Sequence, residues 1–205
     1  MNEIVYLRAL SDPSAAPCLV LIDLQREYLA QARLISLPDA NTALENCQAA
    51  LSYARSRGFP IAFLRQISRS AFFNPSTAFS GWIEGFEPHG ADMVFEHSRP
   101  SSYANKQFAE LMDCSAGHFV FGGFAGETAC LSTAIDAFHR KHRFAYLADA
   151  SASHSVGDLS ASETHRAISQ IIAVYGPVLN TKAWIDGNLQ REWTSYGMGD
   201  ERQAR

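Results

Sequence analysis

The sequence has no C-x-x-C pair, and its four cysteines stand far apart at 18, 47, 114 and 130 of 205 residues. Metal-knuckle spacing is therefore missing, and an even count is weak evidence for disulfides in a chain of this size, so reduced thiols are expected. Long apolar runs are missing too. "CLVLI" is far too short to span a bilayer, and "MNEIVYLRALSDPSAAP" has neither the basic nor the apolar region of a signal peptide; a soluble, cytoplasmic protein without a membrane partner is the expectation. Positive charge is scarce: 17 Lys and Arg against 21 Asp and Glu leave a net −4 and a pI near 5.9. That balance argues against nucleic acid as a partner. The one basic cluster, "HRKHR" at 139–143, falls where a helix should end, and cations there suit the negative end of a helix dipole.

What remains is 47% hydrophobic and 19% charged, with no low-complexity stretch, enough to bury one full core. A single domain is expected, its core at about 17–185 and a flexible polar tail at about 195–205. "APCLVLID" is a continuous apolar run ending at Asp23, "PIAFLRQ" a second strand, "DMVFEH" a third, "HFVFGGF" a fourth, "RFAYLADA" a fifth, and "PVLNTKAWI" a candidate sixth. Between them lie helical patterns: 39–58, with a closing Gly58; "YANKQFAELMD"; a helix beginning near Cys130; and 160–176. Strands alternating with helices predict a three-layer αβα fold with a mostly parallel sheet of about six strands. The irregular segment 68–91, rich in Ser, Gly, Pro and aromatics, is a candidate lid.

In such sheets a ligand binds at the carboxyl ends of the strands. That rule picks out Asp23, Gln66, His97 and Cys130. Cys130 sits in "GGFAGETACLSTAIDAFHR", where an apolar strand gives way to a helix with Leu131, Ala134, Ile135 and Phe138 on one stripe. Unpaired N–H groups and the helix dipole favour a thiolate at such a junction, although a lone cysteine is also an ordinary small buried hydrophobe.

"LVLIDLQREYL" and "GGFAGETACLSTAIDAFHRKHRFAYLADASASHS" together resemble the isochorismatase-like cysteine hydrolases, over about residues 17–185. The resemblance implies an Asp, Lys and Cys acting together, and carries the Asp to Asp23 and the Cys to Cys130. At the lysine this sequence departs: in "DMVFEHSRPSSYAN" the register set by "SSY" puts His97 there, with Arg99 and Lys106 nearby and Tyr103 at the family's aromatic. The family's nicotinamide-hydrolysing branch carries metal-binding Asp and His after the second strand, and "LRQISRSAFFNPS" has neither, so no metal and no other cofactor is expected. The isochorismatases that cleave a vinyl ether generally lack the cysteine, so Cys130 points to attack on a carbonyl. The resemblance also implies a homo-oligomer, dimer or tetramer, and backbone N–H groups of Gly126 and Cys130 as oxyanion donors.

The expected function is thus hydrolysis of a small-molecule amide, of carbamoyl or ureido type, through a thioester. A thiol and a carboxylate differ by about 4 to 5 pKa units, so Cys130 must be lowered and Asp23 raised before one deprotonates the other. His97 would supply a cation, orient Asp23, or bond the substrate. Gln25, Arg65, Phe72, Trp82, Arg99 and Tyr103 are candidate substrate contacts, Gln25 reading also as a brace for the loop, with Arg69, Phe73, Phe79 and Phe86 beside them, and Asp149 is a strand-end brace. Cleavage of a vinyl ether or ester, or non-catalytic binding of a small molecule on the same sheet, are the alternatives.

Overall fold

The computed structural model describes residues 16–187 except 32, 39 and 116. The expected tail lies outside those residues. Six parallel strands form one sheet in the order β3-β2-β1-β4-β5-β6: β1 Cys18–Ile22, β2 Ile61–Gln66, β3 Met93–His97, β4 Phe119–Gly123, β5 Phe144–Ser151 and β6 Val178–Leu179. β1 and β4 are buried at every position, which is why both read as unbroken apolar runs rather than as alternation.

Alternate residues of β1 feed two cores. Leu19 and Leu21 face a cluster built by α1 (Ala40–Ser56) and α5 (Thr181–Ile185), with Ala43, Cys47, Ala50, Leu51 and Trp184. Cys18, Val20 and Ile22 face the opposite cluster, filled by α2 (Lys106–Cys114), α3 (Leu131–His139) and α4 (Ala161–Ile172) through Phe108, Met112, Ala134, Ala137 and Ile172. The three-layer arrangement is the one the strand-helix alternation predicts. No described helix is long and apolar enough to cross a membrane.

Local chemistry sets the boundaries. Ser160 and Glu163 form a reciprocal capping box on α4, Asn105 caps α2, and Gly58 takes φ 66 just beyond α1. One expectation fails here. "PVLNTKAWI" is not one strand: the two residues of β6 are followed by Asn180, whose side chain accepts the Ala183 N–H and starts α5. An Asn N-cap immediately after a strand outweighs the apolar alternation. Asp149 ties this junction down, as the sequence suggested, its Oδ1 accepting from Thr181 N at 2.7 Å and Oγ1 at 2.8 Å.

Candidate active site

β1 ends where the chain turns through Asp23, a non-glycine residue at φ 52. Its N–H donates to Leu64 O, and its side chain is fully buried. Oδ1 lies 2.8 Å from Nε2 of His97, the last residue of β3, while Oδ2 has no hydrogen-bond partner. The other ring nitrogen of His97, Nδ1, faces the carbonyl oxygen of Arg99. A carbonyl only accepts, so Nδ1 carries a hydrogen, and the contact with Asp23 then holds one further proton between carboxyl and imidazole. The pair is neutral overall whichever atom carries that proton. Burial raises the Asp23 pKa against the opposing pull of His97. For His97 burial acts downward, and the Asp23 charge and hydrogen bond outweigh it, so its pKa also lies above the ordinary value.

Cys130 follows β4, the strand paired with β1, and the charge of Asp23 acts on its thiol. It ends a single π-helical turn, Gly126–Cys130, that runs into α3. Its thiol is fully buried, donates toward Gly123 O at 3.5 Å and lies 3.6 Å from Ser151 Oγ. The expectation of a lowered thiol pKa is overturned: burial raises it, the Ser151 hydrogen bond opposes only in part, and the charges of Asp23 and Glu127 add to the rise. Desolvation outweighs whatever the helix start offers. The two expected oxyanion donors are also engaged, Gly126 N–H with Ala152 O at 2.8 Å and Cys130 N–H with Ala125 O at 3.2 Å.

The segment after Asp23 fastens the irregular segment that follows β2. Gln25 is fully buried and clamps the start of 66–80: its Nε2 donates to Gln66 O and Ser80 O, and its Oε1 accepts from Gln66 N. Arg26 reaches Trp82 O. Glu27, also fully buried, accepts from Phe73 N and pairs with Arg33, which lies over the rings of Phe72 and Phe79. Gln25 is therefore a brace rather than a substrate contact. Four other candidates have partners of their own. Arg65 pairs with Glu96 over the Trp82 ring, Trp82 packs edge-on against Phe63, Phe72 lies beneath Arg33, and Tyr103 Oη is bound to His142 Nδ1 at 2.7 Å. Arg99 is exposed and enters the site through its carbonyl. Among the described residues no cluster of three or more His, Cys, Asp or Glu has metal-binding geometry.

Sequence reasoning passed over Glu127 and His154, whose side chains meet at 2.7 Å beside the π-helical turn. The acidic residue in "AGETAC" was visible, but nothing in the sequence announced its partner 27 residues on.

A parallel doubly wound sheet with a buried carboxyl-imidazole pair at its carboxyl edge places the chain in the three-layer α/β class, whose ligand sites lie at that edge. The family model described as "Isochorismatase domain" matches residues 17–183. The chain belongs to the isochorismatase family, a family of hydrolases. Among solved structures it is similar to an isochorismatase from Pseudomonas putida (24% identity, TM-score 0.75, covering 87% of this chain and 97% of that one). A cysteine hydrolase from Pseudomonas syringae pv. phaseolicola is similar at 18% identity and TM-score 0.76, covering 90% and 94%. An isochorismatase-like hydrolase from Alkaliphilus metalliredigens is similar at 18% and 0.74, covering 84% and 98%. These likenesses show the fold. Among proteins of curated function no sequence match is found.

Proposed function

We propose that the protein hydrolyses a small molecule by acid-base catalysis at the Asp23–His97 pair, with water rather than Cys130 as the attacking group. The observation that carries this reading is the buried contact of Asp23 Oδ1 with His97 Nε2, which leaves Oδ2 without a partner. That oxygen is the free valence of a proton relay. A carboxyl whose pKa is raised by burial can protonate a leaving oxygen or nitrogen near neutral pH and then take a proton from water. His97, with Nδ1 fixed on Arg99 O, holds the carboxyl in place and accommodates the charge as it moves. A vinyl ether suits such a centre best: the carboxyl gives its proton to the β-carbon, water adds to the resulting oxocarbenium ion with loss of a proton back to the carboxylate, and the hemiacetal so formed breaks down to alcohol and carbonyl compound, so a proton is needed more than a strong nucleophile.

A second reading, an amidohydrolase working through a Cys130 thioester, is favoured by the Ser151 hydroxyl at 3.6 Å from the thiol and by the solved cysteine hydrolase of the same fold. It requires the thiol to leave Gly123 O and lose its proton beside two carboxyl groups. The two readings separate in one experiment: a panel of small vinyl ethers, esters and amides is incubated with the wild type, Asp23→Asn and Cys130→Ala, following both product and intact protein mass. Under the main reading Asp23→Asn loses about 10²- to 10⁴-fold in rate, Cys130→Ala keeps the wild-type rate within about threefold, and no acyl adduct forms. An adduct on the wild type that is missing in an inactive Cys130→Ala would establish the thioester route instead.

A further inference from the structure

A second carboxylate-imidazole contact stands at the same edge of the sheet. Glu127 Oε1 lies 2.7 Å from His154 Nδ1, Glu127 Oε2 accepts the His154 backbone N–H at 3.3 Å, and His154 Nε2 faces Ile35 O at 3.0 Å. The Asp23–His97 pair has the same plan, one ring nitrogen on a carboxyl and the other on a backbone carbonyl. The electrostatics differ. The hydrogen bonds from His154 hold the Glu127 carboxyl below its usual range although burial opposes them, and the bond to Glu127, ahead of the opposing effect of burial, raises His154. The proton therefore stays on the imidazole, and the contact is a true ion pair, 12% exposed on the carboxylate side and 25% on the imidazolium side.

Three connections meet at this ion pair. Glu127 is the second residue of the π-helical turn, His154 follows β5, and Ile35 belongs to the segment after β1. Gly126 N–H binds Ala152 O, so turn and β5 connection are held by two adjacent contacts. On the outer side a cavity of about 540 Å³ opens, lined by Leu34, Ile35, Pro38, His154, Ser155 and Ala161, a volume within the range of small-molecule sites.

We infer that Glu127 and His154 are positioning residues, an ionic latch that sets the turn Gly126–Cys130 against Asp23 and holds the 34–38 segment closed at the rim of this cavity. Among the described residues, Tyr28, Cys130 and Tyr146 couple electrostatically to Glu127. Tyr28 stands 6.1 Å from His154, ring centre to ring centre; Glu163 is bound to Ser160, Arg33 to Glu27, and Asp158 is exposed in the turn between Val156 and Leu159. The latch is closed only while both partners are charged. Glu127, lowered in the folded state, contributes fully above its unfolded value of about 4.3 and is lost as pH falls through its folded one. His154, raised, contributes fully below about 6.5 and is lost as pH rises through its folded value.

Hydrogen exchange followed by mass spectrometry, from about pH 5 to about pH 10 and corrected for intrinsic rates, tests this on the whole chain without any substrate. Its failure is therefore separate from failure of the hydrolase reading. In the wild type, peptides covering 28–38 and 124–130 should lose protection together as the solution turns alkaline. In Glu127→Gln and in His154→Gln both peptides should already exchange about tenfold faster, with no alkaline step. Wild-type protection that ignores pH, or variants that keep wild-type protection at 34–38, would overturn the latch; should the variants not fold, the wild-type profile decides alone. Once a substrate is known, either variant should lower kcat and move the alkaline limb of the rate profile, which a merely structural contact would leave in place.

Discussion

At the scale of the residue, close approach decides what each position tolerates. Gly123 ends β4 with φ +123, and a Cβ built there would lie 2.0 Å from Ile22 O. Both backbone and space exclude a side chain, so Gly123→Ala should cost about 4 kcal/mol or more and leave little folded protein, as soluble yield and a urea melt would show. The thiols make a second residue-scale prediction. Cys114 is exposed, whereas Cys18, Cys47 and Cys130 are buried. A thiol reagent should therefore label Cys114 alone in the native protein and the other three only on unfolding; native labelling of Cys130 would revive it as a nucleophile. Asp23 and His97 were legible in the sequence because strand ends can be counted from apolar runs. The surroundings of Cys130 were not, since Ser151 lies 21 residues away and is brought in by a strand pairing, β4 with β5, whose register shifts at that place.

At the scale of the element, the segment "LQRE" fastens the irregular stretch after β2, the bracing role that one sequence reading of Gln25 gave it. Gln25 makes three bonds to backbone groups of Gln66 and Ser80. Gln25→Ala removes all three, and each buried group left unpaired costs about 1–3 kcal/mol. The loss should appear as faster exchange across 66–80 and a lower urea midpoint, with the sheet otherwise protected. That stretch was legible in the sequence only as one without periodicity. Its fastenings involve partners 41 to 55 residues apart, which no local pattern encodes. The misreading of "PVLNTKAWI" has the opposite origin: the capping Asn180 was there to be read, and apolar alternation was given more weight.

At the scale of the molecule, the sheet order 3-2-1-4-5-6 brings the ends of β1 and β3 to one edge with β2 between them, and so makes one site of residues 74 positions apart. The resulting pair couples proton binding to folding. Because His97 is raised in the native state, its contribution is complete below about pH 6.5 and declines as pH rises through the folded value. Urea midpoints measured across that range should fall with pH in the wild type and fall less in Asp23→Asn, which lacks the carboxylate responsible. Equal slopes would mean that the imidazole holds no extra proton.

β3 is an outermost strand of the sheet, bonded on one side to β2 and alternately exposed along its length. Its last residue is His97. The Asp23–His97 pair thus hangs from the end of an edge strand, where pairing on one side is absent. In rising denaturant or heat, catalysis should fade while circular dichroism still reports an intact sheet, and a ligand bridging Asp23 and the rim of β3 should delay that early loss more than it delays global unfolding. The protein's working limit would then be set by one edge strand letting go.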